Sequence, residues 1–101
     1  MDDIRKIRCA LEKLDYSDDE IERRLSNITK IELNEENLRE VLAYALDSIL
    51  YANNESADAS AGAVKTDEYE YVIIIESETK TLMIIYDIRS GEFAAYESLH
   101  I

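Results

Sequence analysis

The chain is short of the residues on which metal binding and phosphate binding usually depend. It has one cysteine, Cys9, one histidine, His100, and two glycines, Gly62 and Gly91. A single cysteine cannot form an intramolecular disulfide, which favours a reducing, cytoplasmic setting. One cysteine and one histidine cannot supply the three or four protein ligands of a zinc site. Two isolated glycines provide no phosphate-binding loop. We therefore expect no metal and no cofactor.

Long apolar runs are also missing. The most apolar stretch, residues 72–75, is far shorter than the ~20 residues that a membrane-spanning helix needs. The first residues contain no apolar segment of the kind found in secretory signals. The sequence predicts neither membrane insertion nor export by such a signal.

Basic residues are the third shortage. Eleven Lys and Arg face 23 Asp and Glu, so the formal net charge is −12. Direct binding to DNA, RNA or anionic membranes is disfavoured, because it needs Lys and Arg to displace counterions. A basic protein is the natural complement of such a chain. The alternative is that the acidity serves only solubility.

The first half of the chain has the pattern of three helices. Ser17 and Glu20 have the spacing of a capping box, which predicts a second helix from there to about residue 28. Asn34 repeats the signal and predicts a third helix to about residue 51. The first helix is predicted over residues 4–14 by apolar side chains spaced three and four apart: Ile4, Ile7, Leu11 and Leu14.

The second half has the pattern of a linker and three strands. Residues 52–67 are small and polar without periodicity, which predicts a flexible linker or loop. Residues 68–76, 80–88 and 92–99 are rich in strand formers and are separated by short turns. The predicted fold class is α+β in a single domain, 1–101: a helical part (1–51), the linker (52–67) and a three-stranded antiparallel β-meander (68–101).

Both faces of the predicted sheet carry apolar side chains. Ile73 and Ile75 point to one face, whereas Val72 and Ile74 point to the other. Three helices stacked on one face would leave the second face to the linker, a partner or a second copy, which suggests a homodimer. Alternatively, the helices lie on both sides of the sheet.

No pattern indicates an active site. Cys9 lies beside the apolar stripe of the first helix, and His100 is the penultimate residue. The acidic run at residues 15–22 lacks the glycine and spacing of a calcium loop, and helix capping explains it. We expect no catalytic residues and no enzyme.

The carboxylates themselves are the candidate site. Duplex DNA carries one negative charge per ~1.7 Å of its axis. Carboxylates held on rigid helices and strand ends would imitate that row of charges. Tyrosines at 69, 71, 86 and 96 would add aromatic anchors, or else simply pack in the sheet. The predicted partner-binding residues are Asp15, Asp18, Asp19, Glu22, Glu32, Glu36, Glu40, Asp67, Glu68, Glu70, Glu76 and Glu78.

Two resemblances complete the sequence evidence. Residues 11–21 resemble the segment that joins the first two helices of ubiquitin-associated-like domains, with Asp15 in place of the usual glycine. In size, charge and lack of catalytic groups, the chain resembles the small acidic inhibitors that phages and mobile elements use against nucleic-acid-binding defences, anti-CRISPR proteins among them. That resemblance implies a non-catalytic inhibitor of a basic, nucleic-acid-binding protein. The alternatives are an antitoxin or immunity protein that neutralises a basic toxin, and a regulatory or scaffolding adaptor.

Overall fold

Three helices and five strands make up the part of the chain, residues 3–50 and 59–100, that the computed structural model describes. All strand pairs are antiparallel, and the order across the sheet is β1-β5-β4-β3-β2. The elements are α1 (Asp3–Lys13), α2 (Asp18–Ser26), β1 (Ile28–Ile31), α3 (Glu35–Leu50), β2 (Ala59–Asp67), β3 (Glu70–Ser77), β4 (Lys80–Asp87) and β5 (Phe93–Leu99).

The predicted three-stranded meander is wrong, because the sheet has two further strands. β1 is only four residues long. β2 occupies most of the predicted linker, and residues 52–58 of that linker lie outside the described residues. The small residues of β2 have weak strand propensity, and their conformation comes from pairing with β3 along the whole strand. Tertiary pairing thus overrides local preference at this edge of the sheet.

The helix starts are confirmed by their capping hydrogen bonds. The Glu20 backbone N–H donates to the Ser17 hydroxyl at 3.2 Å, and the Ser17 N–H donates to Glu20 Oε1 at 3.2 Å. At the next helix, the Asn37 N–H donates to Asn34 Oδ1 at 2.7 Å. These caps satisfy N–H groups that have no partner inside the helix.

The turn between α1 and α2 is set by the backbone of Asp15. The Tyr16 N–H donates to the Leu11 carbonyl and the Asp15 N–H to the Glu12 carbonyl, each at 3.1 Å. This is the Schellman pattern of helix termination, which requires a left-handed residue. Asp15 supplies it with φ 67°, a conformation that aspartate tolerates better than most residues. Asp15 therefore ends α1 in a conformation that glycine most often supplies.

The helices lie on both sides of the sheet, and this arrangement explains its two apolar faces. Residues of α1 and α2 form one core with alternate residues of the strands: Ile7, Ala10, Leu11, Ile21, Val64, Val72, Ile74, Met83 and Ile85. On the opposite face, α3 contributes to a second core: Leu38, Ile73, Ile75, Ile84 and Ala95. Neither face of the central strands needs a second copy of the chain to cover it.

Gly62 lies close against Leu14, which follows the last residue of α1. A Cβ at this position would lie 2.9 Å from Leu14 Cδ2 and 3.1 Å from Leu14 Cδ1. A side chain at residue 62 would therefore require the Leu14 methyl groups to move.

We expect Gly62→Val to destabilise the fold by about 1–3 kcal/mol, because the new side chain must displace Leu14. Ala63→Val is the matched control: Ala63 is exposed in the same strand, and its change should stay within about 0.5 kcal/mol. The measurement is the urea midpoint of unfolding. Equal midpoints for the two variants would contradict the packing argument. The same would follow if the losses of stability caused by Gly62→Val and Leu14→Ala were strictly additive in the double variant.

Candidate partner-binding surface

One end of the sheet collects a carboxylate from every strand. β1, β2 and β4 finish at this end and β3 and β5 begin there, since every pair is antiparallel. In order across the sheet, the carboxylates are Glu32 after β1, Glu92 before β5, Asp87 in β4, Glu70 in β3, and Asp67 with Glu68 at the end of β2. Asp67, Glu70, Asp87 and Glu92 lie in register on four neighbouring strands, so at ~4.8 Å per strand these four span about 14 Å. Glu32 lies two residues short of them along the strand direction.

An apolar and aromatic centre lies within this row. The side chains of Tyr69 and Ile88 are 37% and 52% exposed. The Ile88 N–H donates to the Tyr69 carbonyl at 2.8 Å, which joins the two turns. The Arg89 guanidinium lies 4.5 Å from the centroid of the Tyr69 ring. We call this surface the turn end. It consists of these three residues and the six carboxylates of the row.

Most charge on the turn end is unbalanced. Glu70 is neutralised by Lys6, whose ammonium lies 2.8 Å from its carboxylate. Among the described residues, Glu32, Asp67, Glu68 and Glu92 form no ion pair. By contrast, residues 3–26, which contain α1 and α2, carry seven acidic and six basic side chains. The negative field is therefore stronger at the turn end than over these two helices.

Asp87 shapes the turn between β4 and β5 and stays charged. Its Oδ1 accepts the Ser90 N–H at 3.0 Å and the Arg89 N–H at 2.8 Å, and these hydrogen bonds lower the pKa of the Asp87 carboxyl. The turn closes through Gly91, whose φ of 79° lies in the left-handed region that glycine adopts readily. The carboxylate is thus fixed in place by the backbone that it organises.

The twelve predicted partner-binding residues divide among several surfaces. Four of them, Glu32, Asp67, Glu68 and Glu70, meet at the turn end. At the start of α2, Asp15, Asp18 and Asp19 are exposed. They complement the helix dipole.

The other five lie elsewhere. Glu22 in α2 pairs with Arg8 at 2.8 Å. Glu36 and Glu40 are exposed on α3, on the other side of the sheet. Glu78 is exposed in the turn at the opposite end of the sheet, and Glu76 nearby is engaged inside the chain.

Glu76 belongs to a polar cluster with Arg24, Thr81 and His100. The Arg24 guanidinium and the Thr81 hydroxyl both donate to the Glu76 carboxylate. His100 Nε2 lies 2.8 Å from Thr81 Oγ1, and His100 Nδ1 donates to the Glu78 carbonyl at 3.2 Å. Since Thr81 is fully buried, its hydroxyl is closed to a substrate. The cluster holds α2 and the end of β5 against the two central strands, β3 and β4.

A cavity of about 400 Å³ lies beside this cluster. The Arg24 guanidinium stacks 4.7 Å from the centroid of the Tyr16 ring. Burial and the nearby Glu76 carboxylate raise the pKa of the Tyr16 hydroxyl to about 12, so it stays protonated. The lining comprises Leu14, Asp15, Tyr16, Glu20, Ala61, Gly62, Ile74 and Glu76. Of its carboxylates, Glu20 and Glu76 already have partners within the chain.

No group of three or more His, Cys, Asp or Glu side chains among the described residues has the geometry of a metal site. Cys9 is a free, half-buried thiol on α1. His100 is engaged in the Arg24–Glu76 cluster. The structure therefore shows where Cys9 and His100 lie, but it identifies no reaction for either side chain.

Sequence reasoning did not select four residues that complete the turn end: Asp87, Ile88, Arg89 and Glu92. A signal for them was present, because the turns of an antiparallel meander alternate between the two ends of the sheet. The start of the first predicted strand and the turn after the second must therefore lie at the same end. The meeting of Arg24 with Thr81 had no such signal, since 57 positions separate the two residues.

Comparisons with family models, curated proteins and solved structures found no match to this chain. Within the described residues, no helix is long and apolar enough to cross a membrane. The α+β fold and the geometry of the two sheet ends are therefore the basis for the functional argument.

We expect Arg24→Gln to destabilise the protein by about 2–3 kcal/mol, because it leaves the Glu76 carboxylate without its ionic partner. The two side chains are only 11% and 21% exposed. Arg23→Gln, the neighbouring exposed arginine, should change stability by less than about 0.5 kcal/mol. Urea denaturation measures both. Similar losses for the two variants would show that the ion pair contributes little.

We expect the stability advantage of wild type over Asp87→Asn to depend on pH. The folded-state pKa of Asp87 lies below its unfolded value of ~3.9. The charged form therefore stabilises the fold above about pH 4, and the advantage is lost as pH falls through the folded pKa. Urea midpoints of both proteins from neutral to acidic pH test this. A constant difference across that range would contradict the role of the Asp87 charge.

Proposed function

We propose that the chain is a non-catalytic acidic binding protein that inhibits a basic, nucleic-acid-binding partner protein in the cytoplasm, as anti-defence proteins of the anti-CRISPR type do. The observation that carries the proposal is the turn end, where each of the five strands presents a carboxylate around an exposed aromatic and apolar centre. The turn end would dock on the surface of the partner that otherwise holds nucleic acid.

The spacing of the carboxylates supports a nucleic-acid mimic. Adjacent strands hold them ~4.8 Å apart, which is of the same order as the ~3.4 Å of axis per phosphate along one strand of a duplex. The sheet fixes these positions, so little conformational entropy is lost when a partner binds. A rigid acidic row also attracts a basic surface over long range and speeds association.

The centre of the turn end supports a specific contact rather than a general attraction. Tyr69, Ile88 and Arg89 lie together and are exposed. Tyrosine and arginine are enriched among residues that dominate binding energy, especially when a polar rim surrounds them. The carboxylates would then steer the encounter, and the central residues would hold the complex.

The same surface also fits the second candidate, an antitoxin or immunity protein that neutralises a basic toxin. A regulatory or scaffolding adaptor would instead use exposed apolar side chains such as Leu99, which lies at the other end of the sheet and is 50% exposed. An adaptor of that kind would bind through apolar contacts that salt hardly weakens. Salt dependence therefore separates the adaptor from the two inhibitors.

The first experiment identifies the partner. The immobilised chain is incubated with native cell extract at low ionic strength, and captured proteins are identified by mass spectrometry. The proposal requires a basic, nucleic-acid-binding protein that DNA or RNA displaces and that salt releases. A captured protein that nucleic acid fails to displace would contradict the mimic.

For that complex, we expect the triple variant Asp67→Asn, Glu68→Gln, Glu92→Gln to lower affinity by about ten- to a hundredfold at low ionic strength. The matched control is Glu12→Gln, Glu40→Gln, Glu78→Gln. It also removes three exposed carboxylates from a chain of net charge −12, but away from the turn end. Titration calorimetry or surface plasmon resonance measures both. Equal losses would mean that net charge alone drives binding, and the turn end would lose its assigned role.

A further inference from the structure

A second cavity, of about 260 Å³, lies where the end of α2 meets the end of β5. It is smaller than the about 300–1,000 Å³ of sites that hold drug-sized molecules, so it suits a small group. Because β5 begins at the turn end, this cavity lies toward the opposite end of the sheet. The residues that line it are Arg23, Arg24, Asn27, Ser98, Leu99 and His100.

The lining is positive in a chain that is otherwise strongly acidic. Acidic residues outnumber basic ones by 23 to 11 in the sequence, yet the described lining contains two arginines and no Asp or Glu. The Arg23 side chain is exposed and forms no ion pair within the described residues. Its guanidinium can therefore offer its N–H donors to an anion.

Arg24 forms a rigid part of the wall. Its Nε donates to the Thr81 hydroxyl at 3.2 Å, its Nη1 to the Glu20 carbonyl at 3.1 Å, and its Nη2 to the Glu76 carboxylate. A guanidinium has five N–H groups, so two of them remain after these three bonds. Because the side chain is already ordered, a ligand that contacts it causes little further loss of side-chain entropy.

The Ser98 hydroxyl is buried and has no hydrogen-bond partner within the described residues. Ser98 is 1% exposed, and no side-chain oxygen that is fully shut off from solvent in the described part of the chain lacks a partner. The small accessible area of Ser98 therefore includes its hydroxyl oxygen, which faces the cavity. A ligand in the cavity can supply the hydrogen bond that this buried hydroxyl lacks.

The end of α2 does not repel an anion from this position. A helix C-terminus carries a partial charge of about −0.5, which is smaller than the full positive charge of Arg23. The Arg23 carbonyl also accepts the Ser26 hydroxyl at 2.9 Å and the Asn27 side-chain amide at 3.4 Å. One of the carbonyls at the helix end is therefore already satisfied.

We propose that this cavity binds a phosphate group, as the free ion or as a phosphate monoester. The donors lie on two sides, with the arginines on α2 and the Ser98 hydroxyl on β5. A tetrahedral oxyanion can present oxygens to both sides at once, whereas a carboxylate has only two oxygens in one plane. Arg23 would hold two phosphate oxygens with its planar fork of donors, and Ser98 would donate to a third.

The test is an NMR titration of the full chain with inorganic phosphate at pH 7 and constant ionic strength. Backbone amides of residues 23–27 and 98–100 should shift and reach saturation. Arg23→Gln and Ser98→Ala should each weaken binding about tenfold. The matched control is Arg39→Gln, which removes an exposed arginine of α3 on the other side of the sheet and should bind like wild type. Thermal melting verifies that each variant is folded.

Phosphoserine and acetate are titrated in parallel. Tighter binding of phosphoserine than of inorganic phosphate would identify a monoester as the ligand, and the reverse would identify the free ion; both outcomes support the site. Acetate that binds as tightly as phosphate would overturn the assignment to phosphate.

Three further results would overturn the proposal: shifts in wild type that never saturate, an equal loss of affinity in Arg39→Gln and Arg23→Gln, or full affinity in Ser98→Ala. The second would mean that net charge alone governs binding, and the third that the ligand lies outside the cavity. All of these measurements use the chain without a protein partner, so they do not depend on the proposed function of the turn end.

Discussion

Burial of the central strands on both faces is the constraint on which the rest of the structure depends. Ile73 and Ile84 face one core, and Ile74 and Met83 face the other. Burying a side chain of this size contributes about 1.5–3 kcal/mol, so both faces of β3 and β4 must be covered. The chain achieves this by placing its first two helices on one side and its third on the other. Such a sheet cannot leave a face free for binding.

Two-sided burial also decides where the charges lie. A chain with 23 acidic residues cannot place them in the middle of β3 or β4. They therefore occupy helix surfaces and strand ends. Over α1 and α2, basic residues balance them, whereas at the turn end the row of carboxylates is largely unopposed. The turn end is consequently both negative and rigid, because each carboxylate lies at or next to the end of a hydrogen-bonded strand.

The two ends of the sheet use their carboxylates differently. At the turn end, Glu32, Asp67, Glu68 and Glu92 are free of ion pairs within the described residues. Near the opposite end, Glu76 is enclosed by Arg24, Thr81 and His100, where it joins α2 to the sheet. One end is thus available to a partner, while a carboxylate near the other end holds the molecule together.

The sequence by itself determined the features that depend on neighbouring residues. Capping at Ser17 and Asn34 set the helix starts, and alternation set which side chains share a face of β3 and β4, because hydrogen bonds and side-chain directions repeat over a few positions. Only the tertiary structure decided the rest. β2 became a strand because β3 offered it hydrogen bonds. Glu32 joined the other carboxylates of the turn end because β1 pairs with β5, which is distant from it in the sequence. Contacts of this kind depend on how the whole chain packs, and local spacing carries no record of them.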